Sequence, residues 1–333
     1  MKGLKLSQVK IRRAVPSDKG PVVEFCKNIW HGGDYLPGVW DEWLRDRKGL
    51  LLVATIHGTP VGVAHAYFQT KDVAWLEGLR VHHAYRGLGI AGKLNRALTR
   101  FARSKGAKVA RLCTGSSNMA SQKHARKLGF KAVQTFQRLD STRSLRRKPV
   151  GVARPRKVRA GLWKWLQDRP EFYESKGMFS DGWTWYPLTA VSFRRLFNNR
   201  QVLLTMHNSS PSSCCIFSDE DRRLTLGFAA GVLEDVENAT RFLRYTLSRG
   251  RHERVRALVP FKSALARLLE DNRFEKTARI LVYEKSPSDP RRPYGTLFGF
   301  GTRKGIRHRS SLSDFGLELH RHGHRGNDAP PRR

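Results

Sequence analysis

Acidic residues are scarce in this chain of 333: 28 Asp and Glu stand against 63 Lys and Arg, a formal net charge of +35. Cysteine is scarce too. Cys26, Cys113, Cys214 and Cys215 form neither a CxxC pair nor the even ladder of a small disulfide scaffold. They read as reduced thiols, and the expected compartment is the cytoplasm. No apolar run approaches membrane-spanning length and no signal-peptide pattern opens the chain, so no membrane partner is expected. Fixed metal-ligand spacings are also missing. His320, His322 and His324 sit in a tail (301–333) of Gly, Arg, Ser and Pro that reads as disordered and offers neither a fixed scaffold nor carboxylate partners at suitable spacing. No metal is expected.

The positive excess runs along the whole chain, with one dense block. Residues 141–160 hold eight Lys and Arg and no acid, broken by Pro149 and Pro155. This basic linker reads either as a contact for nucleic acid or a ribosome, or as a solvated segment between domains. The length suffices for two domains.

The most informative stretch is 73–104, VAWLEGLRV-HHAY-RGLGIA-GKLNRALTRFARS. Alternation predicts a strand over 73–81. Ile90, Leu94, Leu98 and Phe101 recur at helical spacing and predict an amphipathic helix. Between them, Arg86-Gly87-Leu88-Gly89-Ile90-Ala91 places two glycines where a strand gives way to a helix. Backbone N–H groups there, with the positive end of the helix dipole, make a phosphate cradle. A dinucleotide fingerprint would need GxGxxG and an acid some 20 residues on. Gly92 could complete the glycines, but the next strand, KVARLCTG, offers no acid.

The pattern Arg-x-x-Gly-x-Gly/Ala after such a strand resembles the GCN5-related N-acetyltransferase family over about residues 8–139. VKIRRAVPSD resembles its first strand and turn, LLVATIHGTPVGVAHAYF its central hairpin, and KVARLCTGSSNMASQKHARKLGF its second motif. The resemblance implies an α/β (α+β) fold with a mixed sheet flanked by helices. It also implies acetyl-CoA as co-substrate, held by Leu79, Arg80, Val81, Arg86, Gly87, Leu88, Gly89, Ile90, Ala91, Gly92 and Asn118. The implied activity is transfer of an acetyl group to an amine by direct attack in a ternary complex.

Alternation puts Val73, Trp75, Glu77, Leu79 and Val81 on one strand face and Arg80 on the other. Glu77 is thus a carboxylate among apolar neighbours, where desolvation favours the protonated form. On the family resemblance it is the general base; otherwise it is an ion-paired structural residue. The tyrosine that many relatives carry four residues before the Gly-Phe glycine is Ala125 here. His124, beside it, is the candidate acid, or else a solvated helix histidine. A thiol of pKa about 8.5 leaves near neutrality with little help.

WHGGDYLPGVWDEWL (30–44) lies where the family binds its acceptor and resembles that part of the vertebrate histidine N-acetyltransferases, which also have two halves. Asp34 is then a candidate for binding an ammonium or imidazole and Tyr35 for shaping the pocket. Asp34 equally reads as a helix cap. Deprotonating an α-amine at pH 7 costs about 1.4 kcal/mol and a lysine about 4.6, so the expected acceptor is a small molecule's α-amine. A macromolecular acceptor and a non-catalytic CoA-binding module are the alternatives.

The second half repeats the first. RVRALVPF…LLEDNRFEKTARILVYEK (254–285) parallels 108–139, and a strand-like RLTLGFAAG precedes a helical stretch 233–249. Its turn, Ala230-Gly231-Val232-Leu233-Glu234-Asp235, puts two carboxylates where a phosphate would sit. The predicted organisation is an acetyltransferase domain (1–140), the linker, a degenerate half that binds no CoA (161–300) and the tail. An unrelated α+β domain is the other reading of that half.

Overall fold

Strand-forming sequence in both halves condenses into one large sheet. The computed structural model describes residues 5–287 except 28, 30–32, 156–160 and 221. The tail with its three histidines and part of the basic linker lie outside the described residues. In the first half come β1 (Lys10–Arg13), α1 (Lys19–Cys26), α2 (Leu36–Arg45), β2 (Leu50–Ile56), β3 (Thr59–Thr70) and β4 (Val73–Val81). Then follow α3 (Ile90–Ser104), β5 (Val109–Gly115), α4 (Met119–Lys127) and β6 (Lys131–Ser141). The predicted strand over 73–81 and the helix opening at Ile90 are both present.

The second half contains β7 (Val152–Ala153), α5 (Leu162–Gln167), α6 (Pro170–Glu174), β8 (Met178–Asp181) and β9 (Thr184–Pro187). It continues with α7 (Ala190–Asn198), β10 (Val202–His207), β11 (Ser210–Glu220) and β12 (Arg223–Gly231). It ends with α8 (Leu233–Leu247), β13 (Arg254–Pro260), α9 (Ala264–Asp271) and β14 (Glu275–Lys285). The parallel between 108–139 and 254–285 is therefore β5-α4-β6 against β13-α9-β14.

The sheet order is β1-β2-β3-β4-β5-β14-β6-β13-β12-β11-β10-β7. The halves exchange their last strands. β14 inserts between β5 and β6, and β6 lies between β14 and β13. A buried pair fixes this seam: Arg256 on β13, 1% exposed, meets Asp140 on β6 through contacts of 2.8 and 3.2 Å.

Helices cover both faces. Ile90, Leu94 and Leu98 of α3 pack with Ala125 of α4 on Ala64, Ala66, Ala74 and Leu76. On the opposite face, α1 and α2 pack Phe25, Trp40 and Trp43 against Val53 and Val63. The β8–β9 hairpin lies on that second face, where Trp185 and Tyr186 join Tyr67 and Trp75 in one core. The second half thereby reaches across onto the strands that carry Glu77. Among the described residues no helix is long and apolar enough to cross a membrane.

Candidate active site

A groove opens where β4 and β5 part. The two strands run parallel and pair only over Val73–Trp75 with Val109–Arg111. β4 continues to Val81 and β5 to Gly115 without further pairing to each other. Leu76–Val81 therefore presents one backbone edge to a gap that an extended, amide-bearing ligand can fill as an added strand would.

The cradle lies at the open end. Gly87 and Gly89 both have positive φ, +84° and +78°, which bends the chain into the N-terminus of α3. Among the described residues, the N–H groups of Gly87, Leu88, Gly89, Ile90, Ala91 and Gly92 donate to no protein acceptor. Arg86, Gly87 and Gly89 are exposed. No protein atom lies within 4 Å of a Cβ built on Gly87, and Gly89 faces only the Leu6 side chain at 3.4 Å. Undonated amides at an exposed helix start are what a pyrophosphate requires. Ile90 itself is buried in the core, so only its amide faces the cradle.

Glu77 stands midway along the groove on the α1–α2 face. Its Oε1 lies 3.0 Å from Nδ1 of His65, directly across on β3. His65 is 1% exposed and stacks on Trp43 of α2, ring centroids 4.4 Å apart at 11°. On its other side lies Tyr67, at 5.8 Å. Tyr67 donates a hydrogen bond of 3.2 Å to the Tyr186 hydroxyl of the β8–β9 hairpin. Cys113, on β5, donates to the Trp183 carbonyl at 3.2 Å. Burial raises its thiol pKa and the Glu77 charge adds to that, so it stays protonated.

Strict alternation fails on β4. His65 pairs with Glu77 but Val63 pairs with Arg80, so β4 carries an extra residue at Gly78–Leu79. Gly78 takes φ +64°, and a Cβ there would lie 2.6 Å from the Trp43 ring. Beyond this bulge the faces swap. Leu79 and Val81 pack with Leu76 on the α3 side, and Arg80 turns to the Glu77 side. The expectation that Arg80 points away from Glu77 is thus corrected.

Arg80 there binds Asp34, Nε to Oδ2 2.6 Å, and lies over the Tyr35 ring at 5.4 Å. Asp34, its side chain 1% exposed, also accepts from the Leu36 amide at 3.1 Å at the start of α2. Its carboxylate is therefore occupied by Arg80 and the helix start rather than open to an acceptor. Tyr35 meets Trp43 edge-on at 5.9 Å and forms part of the same wall. Burial raises its hydroxyl pKa.

Two residues of the second motif face elsewhere. Asn118 caps α4, accepting from the Ser121 amide at 3.0 Å. His124 shares a 3.1 Å contact with Asn95 of α3, on the sheet side opposite the Glu77 carboxylate. Burial lowers its pKa, with Arg96 and Lys127 adding to the shift, so it is neutral at pH 7. The structure places it in the α3–α4 contact and does not bring it to Glu77.

The second half has closed the equivalent groove. β12 and β13 pair only over Arg223–Leu226 with Arg254–Ala257, but α6 lies over the opening beyond and leaves only a small cavity beside Glu171, Phe228 and Leu258. Counted from the strand start, Gly227 stands where β4 has Glu77, and a Cβ there would lie 1.8 Å from the Ser180 carbonyl oxygen. One residue, Val232, joins β12 to α8, whereas eight (82–89) join β4 to α3. The whole glycine turn is absent. Asp235, in the first turn of α8, is paired with His207 at 3.3 Å.

Comparison with known proteins agrees with this geometry. Residues 23–130 match the profile of the acetyltransferase (GNAT) family. That part of the chain belongs to the GNAT family. A histidine N-acetyltransferase of Xenopus tropicalis is 33% identical over 76 residues, 22% of this chain and 24% of that protein. Another, from Oreochromis niloticus, is 30% identical over 103 residues, 30% of this chain and 31% of that protein. The chain thus matches a quarter to a third of these relatives' length. The GNAT fold extends further. A GCN5-related N-acetyltransferase from Sphaerobacter thermophilus superposes with TM-score 0.57 at 15% identity, over 88% of this chain and 99% of that one. A tandem GNAT protein from the clavulanic acid biosynthesis pathway gives 0.51 at 11% identity, over 84% and 98%. The fold of these neighbours therefore spans the second half of the chain as well as the first.

Sequence reasoning missed His65, Trp43, Tyr67 and Tyr186. A plain count back from the Lys71–Asp72 turn sets Ala66 opposite Glu77. An irregularity in the pairing near Gln69 shifts the register by one and brings His65 there instead. No sequence signal marks that shift. Trp43 and Tyr186 arrive from distant segments.

Proposed function

We propose that this protein is an acetyl-CoA-dependent N-acetyltransferase acting on a small amine, with an α-amine such as that of an amino acid favoured. The carrying observation is the β4–β5 groove, which joins undonated amides at the start of α3 to the Glu77 carboxylate. Amides 87–92 would grip the pyrophosphate, and the free edge of β4 from Gly78 to Val81 would pair with the pantetheine amides. Bound acetyl-CoA supplies an activated acetyl thioester.

The residues of the chain then have distinct tasks. A strand N–H near Leu79 polarises the thioester carbonyl. Glu77 takes the proton from the attacking amine. Cys113, protonated and bonded to Trp183, is no nucleophile. The α1–α2 wall and the β8–β9 hairpin hold the acceptor at attack distance and exclude water. That hairpin, with Tyr186 against Tyr67, narrows the acceptor side and favours a small amine over a polypeptide. The histidine N-acetyltransferase relatives point to the same class of acceptor.

Thiol release from acetyl-CoA, measured against free amino acids, peptides and polyamines, tests this. Turnover is expected with an α-amine, and Glu77→Gln should lower kcat/KM about 10²–10⁴-fold while CoA still binds. Binding of CoA with no turnover of any amine would leave only the non-catalytic module. Preference for a polypeptide, lost when Arg146, Arg147 and Lys148 are neutralised, would favour the macromolecular acceptor.

A further inference from the structure

The Glu77 carboxylate does not stand alone. His65 Nδ1 lies 3.0 Å from its Oε1, and the imidazole is 1% exposed between the rings of Trp43 and Tyr67. Trp43 is itself fixed, because its ring fills the space that a side chain on Gly78 would need. The bulge at Gly78 therefore also clamps the histidine. An ionised carboxylate can only accept a hydrogen bond, so Nδ1 carries the hydrogen and the ring is the donor.

We propose that His65 is the positioning residue of the general base: it holds one oxygen of Glu77, so that the other is turned to the acceptor amine. This role rests on the acetyltransferase reading above. In the transfer, the amine nitrogen bonds to the acetyl carbon and the thioester C–S bond breaks, the sulfur leaving as thiolate. The amine proton passes to the second oxygen of Glu77 while the imidazole keeps its own proton. His65 is thus never the acid or the nucleophile. Other titratable groups around the pair are Tyr67 on β3, Arg80 on β4, Asp34 and Tyr35 before α2, Cys113 on β5 and Tyr186 on β9. Arg80 is engaged by Asp34, and the tyrosines and Cys113 are neutral near pH 7. The imidazole donor therefore sets how the carboxylate is oriented.

Two substitutions separate positioning from packing. His65→Phe keeps a ring in the stack and removes the donor. His65→Asn keeps an amide donor where Nδ1 stood and removes the ring. The kcat and KM of full-length protein are measured against pH on an amine that the wild type acetylates, with CoA affinity by calorimetry. For His65→Phe, kcat should fall about tenfold to a hundredfold with CoA affinity unchanged. A hydrogen bond to the charged form favours that form. Its loss should therefore move the acid limb of kcat/KM up by about one pH unit. His65→Asn should return the limb toward its wild-type place.

An acid limb that stays put in His65→Phe, or rises equally far in both variants, would overturn the proposal. Nitrogen NMR of the imidazole supplies a readout independent of turnover. The Nδ1–H tautomer should dominate in the wild type and give way to a mixture in Glu77→Ala. A dominant Nε2–H tautomer in the wild type would refute the pairing. If the wild type acetylates no amine, the acetyltransferase reading fails and the catalytic role falls with it, while the spectrum still judges the pair.

Discussion

Gly78 concentrates the chemistry of the site into one missing side chain. Its φ of +64° creates the bulge, and its empty Cβ position admits the Trp43 ring that stacks on His65. Gly78→Ala should therefore cost about 1–3 kcal/mol, from left-handed backbone and the clash together. Denaturant unfolding would measure it, and an unchanged midpoint would contradict the packing described. Asp18 gives a second case, in which charge decides. Burial alone would raise its pKa. The Arg12 guanidinium, at 2.6 and 2.7 Å, and the Val15 amide, at 2.8 Å, instead hold it below the ordinary carboxylate range. A depressed carboxylate stabilises the fold above its unfolded pKa and loses that contribution as pH falls through the folded one. Asp18→Asn should thus cost about 1–2 kcal/mol at pH 7, and the difference from wild type should vanish in acid. Urea midpoints followed from pH 7 to below the carboxylate range would show it.

At the scale of elements, the site depends on where β4 stops pairing and α3 starts. Gly87 and Gly89 aim the amides of the first turn of α3 outward, and the dipole of a 15-residue helix lies behind them. Gly89→Glu places a β-carbon on a residue at φ +78° and a carboxylate in the proposed phosphate site. CoA affinity by calorimetry should fall at least about a hundredfold, roughly 2.7 kcal/mol, with the fold retained by circular dichroism. Retained affinity would remove the cradle from the proposed site. The strand, the turn and the helix were all legible beforehand, because periodicity and glycine placement are local. The bulge was not, since it records a cross-strand register that Trp43 helps to fix from α2.

The whole molecule is tied together by two exchanged strands. A fragment ending near residue 145 would lack β14 and expose the edges of both β5 and β6. It should fail to unfold cooperatively and should associate on a sizing column. Co-expression with residues 146–287 should restore a single complex, whereas a well-behaved monomeric fragment would argue against the exchange. The second half has lost the glycine turn, the acid and the groove, yet it supplies β14 and the hairpin that meets Tyr67. Its contribution to the proposed site is therefore made across the seam.

The sequence by itself determined the elements whose causes lie within a few residues of one another. These are the amphipathic α3, the glycine turn before it, the strand bearing Glu77 and the repeated order of the second half. Tertiary structure decided which side chains meet. Pairing register put His65 opposite Glu77, a bulge turned Arg80 toward Asp34, and strand exchange laid Tyr186 on Tyr67. Such contacts depend on where separate segments lie in space, and spacing along a chain does not encode that distance.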